Sequence, residues 1–221
     1  MMDIGKAIKA RHSVRQYLDK AITGEVEMRL RQEIDRCNRE GGLNIQLVLG
    51  NAEAFSGIMA RYGRFSGVSN YLALVGPRSK KLAETVGYYG EQLVLLAQRL
   101  GLNSCWVAGT YSKKKCAVTV KAGEKMVCVI ALGFGATAGV PRKSKDMAQL
   151  HDVSGNLPDW FKAGMEAAML APTAINQQQF KVSLVGEEIH IKATGGIHSG
   201  IDLGIVKYHL EVATGRVVVS G

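Results

Sequence analysis

The chain has 221 residues, of which 47% are hydrophobic and 21% charged, ordinary proportions for one globular domain able to bury a core without disulfides or metals. This composition excludes a disordered chain, and no apolar run approaches the length of a bilayer span, so no membrane partner is expected. The formal charge of +9 is uneven: residues 1–150 carry 23 Lys and Arg against 12 Asp and Glu, whereas residues 151–221 carry 5 against 7.

The first predicted element runs from Ile4 to Ala10, where Ile4, Ala7 and Ile8 fall at i, i+3 and i+4 and give a short helix one apolar face. It ends on Arg11-His12-Ser13-Val14-Arg15, which gathers two guanidiniums, an imidazole and a hydroxyl. Such a cluster suits a phosphate monoester, because Arg offers a rigid fork of donors and Ser adds a neutral one. It reads equally as a solvated basic helix end, where cations complement the helix dipole. Met28 to Asn38 is helical in pattern, and Leu43 to Gly50 alternates as a half-buried strand. Tyr71 to Val75 and Met126 to Leu132 read as buried strands, with a helix from Tyr89 to Leu100 between them. After that helix, Trp106-Val107-Ala108-Gly109-Thr110 reads as a strand ending in a turn, with Trp106 expected in the core.

The helix–strand pattern then returns. Trp160 to Leu170 is helical, Phe180 to Gly186 is a strand, Leu203 to Ala213 is a second helix, and Arg216 to Ser220 is a short final strand. Ala171-Pro172-Thr173-Ala174-Ile175-Asn176 reads by itself as a helix end and turn, since Pro stops the helix and Thr and Asn favour turns. Gly195 to Gly200 is a flexible loop, either in solvent or at the border of a pocket. The order of elements repeats more clearly than their residues, which suggests an internal duplication of a larger unit, 1–150, and a smaller one, 151–221.

Cys37, Cys105, Cys116 and Cys128 form no C-x-x-C pair and have no histidines at ligand spacing. Reduced thiols in a cytoplasmic protein, and no metal site, are therefore expected. The first thirty residues mix acids and bases without an apolar core segment, so no signal peptide is expected. His151, His190, His198 and His209 are dispersed, no Ser/His/Asp or paired-carboxylate arrangement is legible, and no catalytic side chain is assigned. The basic runs at Arg78-Ser79-Lys80-Lys81 and Lys113-Lys114-Lys115 lack interleaved aromatics, so no nucleic acid is expected as a partner.

Four segments together are similar to the FMN-dependent nitroreductase and flavin reductase family: Arg11-His12-Ser13-Val14-Arg15, the helix and strand ending in Leu100-Gly101-Leu102-Asn103-Ser104-Cys105-Trp106, Pro141-Arg142-Lys143-Ser144, and Ala171 to Phe180. The resemblance implies an α+β fold of mainly antiparallel sheets flanked by helices. It implies that Arg11, His12, Ser13 and Arg15, with Arg142 and Lys143, hold the FMN phosphate and ribityl chain. Pro172, Thr173, Ala174 and Asn176 are then expected along the flavin, and the backbone of Val107, Ala108 and Gly109 at its reactive edge. Gln179-Phe180 departs from the family's Pro-Trp. In ordinary members the ring-side loop follows the phosphate cluster by about twenty residues, but Asp35 to Gly42 lacks it. The chain thus resembles a branch with two nitroreductase-like halves in one polypeptide, a pseudo-dimer holding one FMN as a monomer or in a homodimer. The implied activity is NADH- or NADPH-driven reduction of a small-molecule electron acceptor, such as a nitroaromatic or quinone, by a ping-pong hydride mechanism. The alternatives are another flavin chemistry, such as dehalogenation or flavin breakdown, and flavin binding without turnover.

Overall fold

The computed structural model describes residues 2–221. Helix α1, Ile4–Ala10, is capped by Asp3, whose carboxylate accepts from the Gly5 and Lys6 amides at 2.9 and 3.3 Å, and it buries Ala7 and Ile8. Helix α2, Gly24–Gly41, ends at Gly42 in the left-handed region, the usual glycine helix stop. Strand β1, Gln46–Val48, helix α3, Ile58–Tyr62, strand β2, Asn70–Pro77, and helix α4, Leu82–Arg99, follow. Strands β3, Asn103–Val107, and β4, Glu124–Gly133, complete the first sheet. Helix α5, Asp159–Leu170, strands β5, Phe180–Val185, and β6, Glu188–Ala193, helix α6, Ser199–Thr214, and strand β7, Val218–Ser220, complete the chain.

The first sheet has the order β1-β2-β4-β3 with every neighbouring pair antiparallel. The second has the order β5-β6-β7, antiparallel in its first pair and parallel in its second. The fold is therefore α+β with mainly antiparallel sheets, as expected. Two runs share one order of elements, α2-β1-β2-α4-β3 and α5-β5-β6-α6-β7, with α3 added inside the first run and β4 inserted into its sheet. Strand β6 was absent from the sequence expectations, although its signal is present: Ile189 and Ile191 are buried and alternate with Glu188, His190 and Lys192. The Gly186 turn at φ 63° closes its hairpin with β5.

A single apolar core crosses from one run to the other. It includes Leu72, Leu74 and Ile130 of the first sheet, Val86, Leu93 and Val94 of α4, Phe161 and Met165 of α5, Ile189 and Ile191 of the second sheet, and Val206 of α6. The opposite face of the first sheet packs on Val14, Tyr17, Phe55, Phe65 and Tyr111, so β2 is buried on both faces and reads as a continuous apolar run.

The two runs meet where α4 and α6 lie backbone to backbone. A Cβ at Gly87 would collide with the carbonyl oxygen of Ile201, and one at Gly204 with the carbonyl oxygen of Glu84. Each glycine is thus required by the closeness of the other helix. Gly204→Ala is expected to lower the unfolding free energy by about 2 kcal/mol or more, because neither backbone can yield without disturbing the core. Gly57→Ala, where a Cβ meets nothing within 4 Å, is the control. Urea denaturation of both variants checks this, and equal midpoints would show that the contact is loose.

Candidate functional site

Helix α1 stops at Arg11, and the chain continues extended beside β3. The Val14 amide donates to the Ser104 carbonyl at 3.0 Å, and Ser13 forms a parallel bridge with Ser104. Val14 and Tyr17 are buried, with the Tyr17 hydroxyl donating to the Val14 carbonyl at 2.7 Å. Those anchors leave His12, Ser13 and Arg15 on the wall of a cavity of about 810 Å³, within the range of small-molecule sites. The end of β3 adds Trp106 and Val107, followed by Ala108, Gly109 and Thr110. Arg142 enters from the long connection before α5, Pro172 to Asn176 from the turn after it, and Asp202 from the first turn of α6. The cavity therefore takes its lining from both runs of the chain.

Every residue expected at the site lines this cavity except Arg11 and Lys143. Arg11 is only 2% exposed, so it is neither a solvated helix end nor part of the cavity surface. Its Nε lies 3.9 Å from Glu91 Oε1, and its Nε and one terminal nitrogen have no hydrogen-bond partner. The Lys143 side chain is exposed; its contribution is a backbone carbonyl that accepts from Asn176 Nδ2 at 2.7 Å and Gln178 Nε2 at 3.2 Å. Asn176 thereby has its amide committed within the chain. Gly109 has open space where a Cβ would stand, so nothing in the chain itself requires glycine there. Trp106 serves both the core and the site: its ring lines the cavity while its Nε1 donates to Glu91 Oε2 at 2.9 Å. Ile197 and His198 line the cavity as well, so of the two readings of Gly195 to Gly200 the structure favours the pocket border over the solvent loop.

The turn after α5 is held in an unusual conformation. Ile175, Asn176 and Gln178 have φ of 46°, 57° and 46°, positions where side chains are strained and a β-branched residue is an outlier. Asp202 holds the turn in place. Its carboxylate oxygens accept from the Ala174 amide at 2.9 and 3.1 Å, and one also accepts from Gln177 Nε2 at 2.7 Å. Buried Gln178 ties the turn to the segment before α5 by accepting from the Lys145 amide at 3.0 Å. No local pattern marks Asp202 in the sequence, because its partners lie far away along the chain.

The cavity is electropositive, lined by Arg15, Arg64 and Arg142 against the one carboxylate of Asp202. Burial, and the nearby Arg11, bring Arg142 down to about 10, and Arg142 Nε is buried without a partner. Burial lowers His12 too, with Arg11 and Arg142 adding to the effect. Cations crowded together with unpaired buried donors fit a phosphate group. Among the described residues, no group of His, Cys, Asp and Glu is placed to hold a metal ion.

Comparison with known proteins agrees with this fold. The family described as "Putative TM nitroreductase" matches residues 3–214, nearly the whole chain, and the protein belongs to that family. A Thermotoga maritima protein of the same description is 21% identical, with a TM-score of 0.68 over 99% of this chain and 88% of its own. A nitroreductase family protein of Streptococcus pneumoniae is 14% identical, with a TM-score of 0.55 over 69% of this chain and 100% of its own. A Desulfovibrio desulfuricans protein solved in complex with FMN is 15% identical, with a TM-score of 0.51 over 72% of this chain and 99% of its own. At these identities the likeness is one of fold. No curated protein matches the sequence. Among the described residues no helix is long and apolar enough to cross a membrane.

Asp202 gives the site a measurable pH signature. Burial raises its carboxyl from 3.8 to about 6, more than its hydrogen bonds lower it. The folded chain therefore binds that proton more tightly than the unfolded chain, so this contribution to stability is present below about 3.8 and is lost as pH rises through about 6. Urea unfolding of the parent and of Asp202→Asn should differ by roughly 1 to 3 kcal/mol more in the parent's favour at about pH 4 than at about pH 7.5. A pH-independent difference would mean that the carboxyl is not buried as described.

Proposed function

We propose that the chain is an FMN-dependent oxidoreductase acting on small electron-poor molecules. The observation that carries this reading is Arg142, a partly buried guanidinium with an unpaired Nε, in a cavity that also gathers His12, Ser13, Arg15, the end of β3 and the turn after α5. The chemistry that FMN supplies when bound is hydride transfer from NADH or NADPH to a nitroaromatic, quinone or similar acceptor, in ping-pong order.

The residues present divide the work of holding such a group. Arg142 and Arg15 supply positive charge for the phosphate, and Ser13 and the His12 ring supply neutral donors. Val107, Ala108 and Gly109 offer backbone amides and carbonyls at the end of a strand whose position is fixed by β4. Pro172, Thr173 and Ala174 offer a rigid surface, since Asp202 restrains the turn they belong to. Asn176 contributes through backbone and shape, its amide being engaged by Lys143. Arg11 acts through its charge from behind the cavity surface. No side-chain nucleophile is needed, which suits a site where the protein's contribution is position and electrostatics.

We further read the two runs of helix–strand–strand–helix–strand as halves of a pseudo-dimer, 1–150 and 151–221, so that one chain contains one complete flavin site. The free thiols fit a reducing compartment, and the cytoplasm is the proposed location.

Purified protein mixed with FMN should bind it with quenched flavin fluorescence, and anaerobic NADH or NADPH should bleach the bound flavin absorbance. Arg142→Ala removes one charge-assisted contact and should weaken FMN binding about 10- to 100-fold, while Lys114→Ala leaves it unchanged. Absence of flavin uptake by the parent would overturn the proposal; uptake without bleaching by either nicotinamide would leave a flavin-binding protein without this turnover.

A further inference from the structure

Behind the cavity, side chains from four elements meet away from water. Glu91 of α4 and His209 of α6 are both fully buried. Glu91 Oε1 lies 3.0 Å from His209 Nε2, and Glu91 Oε2 accepts from Trp106 Nε1 of β3 at 2.9 Å. His209 Nδ1 lies 2.9 Å from the Ala167 carbonyl of α5. Arg11, past the end of α1, approaches the same Oε1 only to 3.9 Å, and two of its nitrogens bond to nothing in the chain. The cofactor contacts proposed for the cavity wall involve none of these bonds.

The partners of His209 fix its protons. A carbonyl oxygen only accepts, so Nδ1 carries a hydrogen. Nε2 faces a carboxylate oxygen, and a bare ring nitrogen there would set two lone pairs against each other in the core, at a high cost in desolvation. The other Glu91 oxygen accepts the indole N–H and a guanidinium lies nearby, so the carboxylate is surrounded by donors and no acceptor is placed to take a hydrogen from it but the ring itself. His209 is then an imidazolium whose charge cancels that of Glu91. Arg11 is left with no anion of its own, although a buried glutamate lies beside it.

We propose that His209 is a positioning residue for the cavity's anion site: by neutralising Glu91 it keeps Arg11 an uncompensated cation beneath the cavity. Arg11 then adds its positive charge to those of Arg142 and Arg15 at the site proposed for a phosphate monoester dianion. The other ionisable groups near the cluster are Tyr208 of α6, which lies close to Glu91, Cys105 of β3, which lies close to Arg11, and His12, which lies close to both arginines. The protonation of His209 follows from this geometry alone; the identity of the anion rests on the FMN reading.

Two substitutions separate this role from simple packing, because they act in opposite directions on Arg11. His209→Gln keeps a donor toward Glu91 but removes the cation, so Glu91 neutralises Arg11 and the FMN dissociation constant should rise about tenfold. Glu91→Gln removes the anion, so Arg11 stays uncompensated, and the constant should stay within about threefold of the parent's. Equal weakening in both variants, or none in His209→Gln, overturns the proposal. Nitrogen-15 NMR of the parent's histidines without flavin is an independent test that needs no variant to fold. Two protonated ring nitrogens on His209 at neutral pH are expected, and a bare Nε2 overturns the proposal. Should the parent take up no FMN, the cofactor reading falls while the NMR result still decides the state of His209.

Discussion

The close contact of α4 with α6 is the constraint on which the rest of this structure depends. Two helices can approach until their backbones touch only where side chains are absent, and Gly87 and Gly204 provide that absence at facing positions. The contact brings the first sheet and the second into one core. It also carries Glu91 toward His209 and brings the first turn of α6 to the cavity formed by the N-terminal segment and β3. Were the helices further apart by the width of a methyl group, Glu91 and His209 would no longer be within hydrogen-bond distance.

Charge is distributed around this contact with a clear division. The exposed pairs along α2, such as Arg29 with Glu25 and Arg31 with Glu27, are solvated i,i+4 partners and contribute little to stability. The buried groups are different. Arg11, Arg142, Glu91, His209 and Asp202 sit where a charge without a partner is costly, and they adjoin or line one cavity. A fold that places its unpaired donors and its most displaced carboxyl in one place has concentrated its unfavourable electrostatics there, which is the pattern of a site shaped for a ligand.

Much of this was legible in the sequence, for reasons that differ by region. The helices α1, α2, α5 and α6 follow from apolar periodicity, and β2 and β4 from near-continuous apolar runs. The walls of the cavity could be named from short segments because each is local: His12, Ser13 and Arg15, Val107 to Gly109, Arg142, and Pro172 to Asn176. Sequence reasoning failed where the determinant is a contact between distant residues. Arg11 stands in the same cluster as His12 and Arg15, yet it caps the end of α1, is buried beside Glu91 and does not line the cavity that its neighbours line. Lys143 looked like a second cation, but the turn after α5 uses its carbonyl and leaves its ammonium in solvent. Glu91 had a signal, as a lone acid on the buried face of an apolar helix, whereas its partner His209 lies 118 residues away. Asp202 had none.

The turn from Thr173 to Gln178 shows how such a wall is kept. Its three left-handed residues are strained singly, and each would relax if its hydrogen bonds were released. The bonds that prevent this come from α6 and from the segment before α5, which belong to the same polypeptide. A turn braced in this way needs no bond from a second chain to hold its shape. In an enzyme whose site is closed by a second subunit, dilution opens the site as the complex dissociates. Bonds within one chain do not depend on protein concentration, and the release of this turn accompanies local or global unfolding.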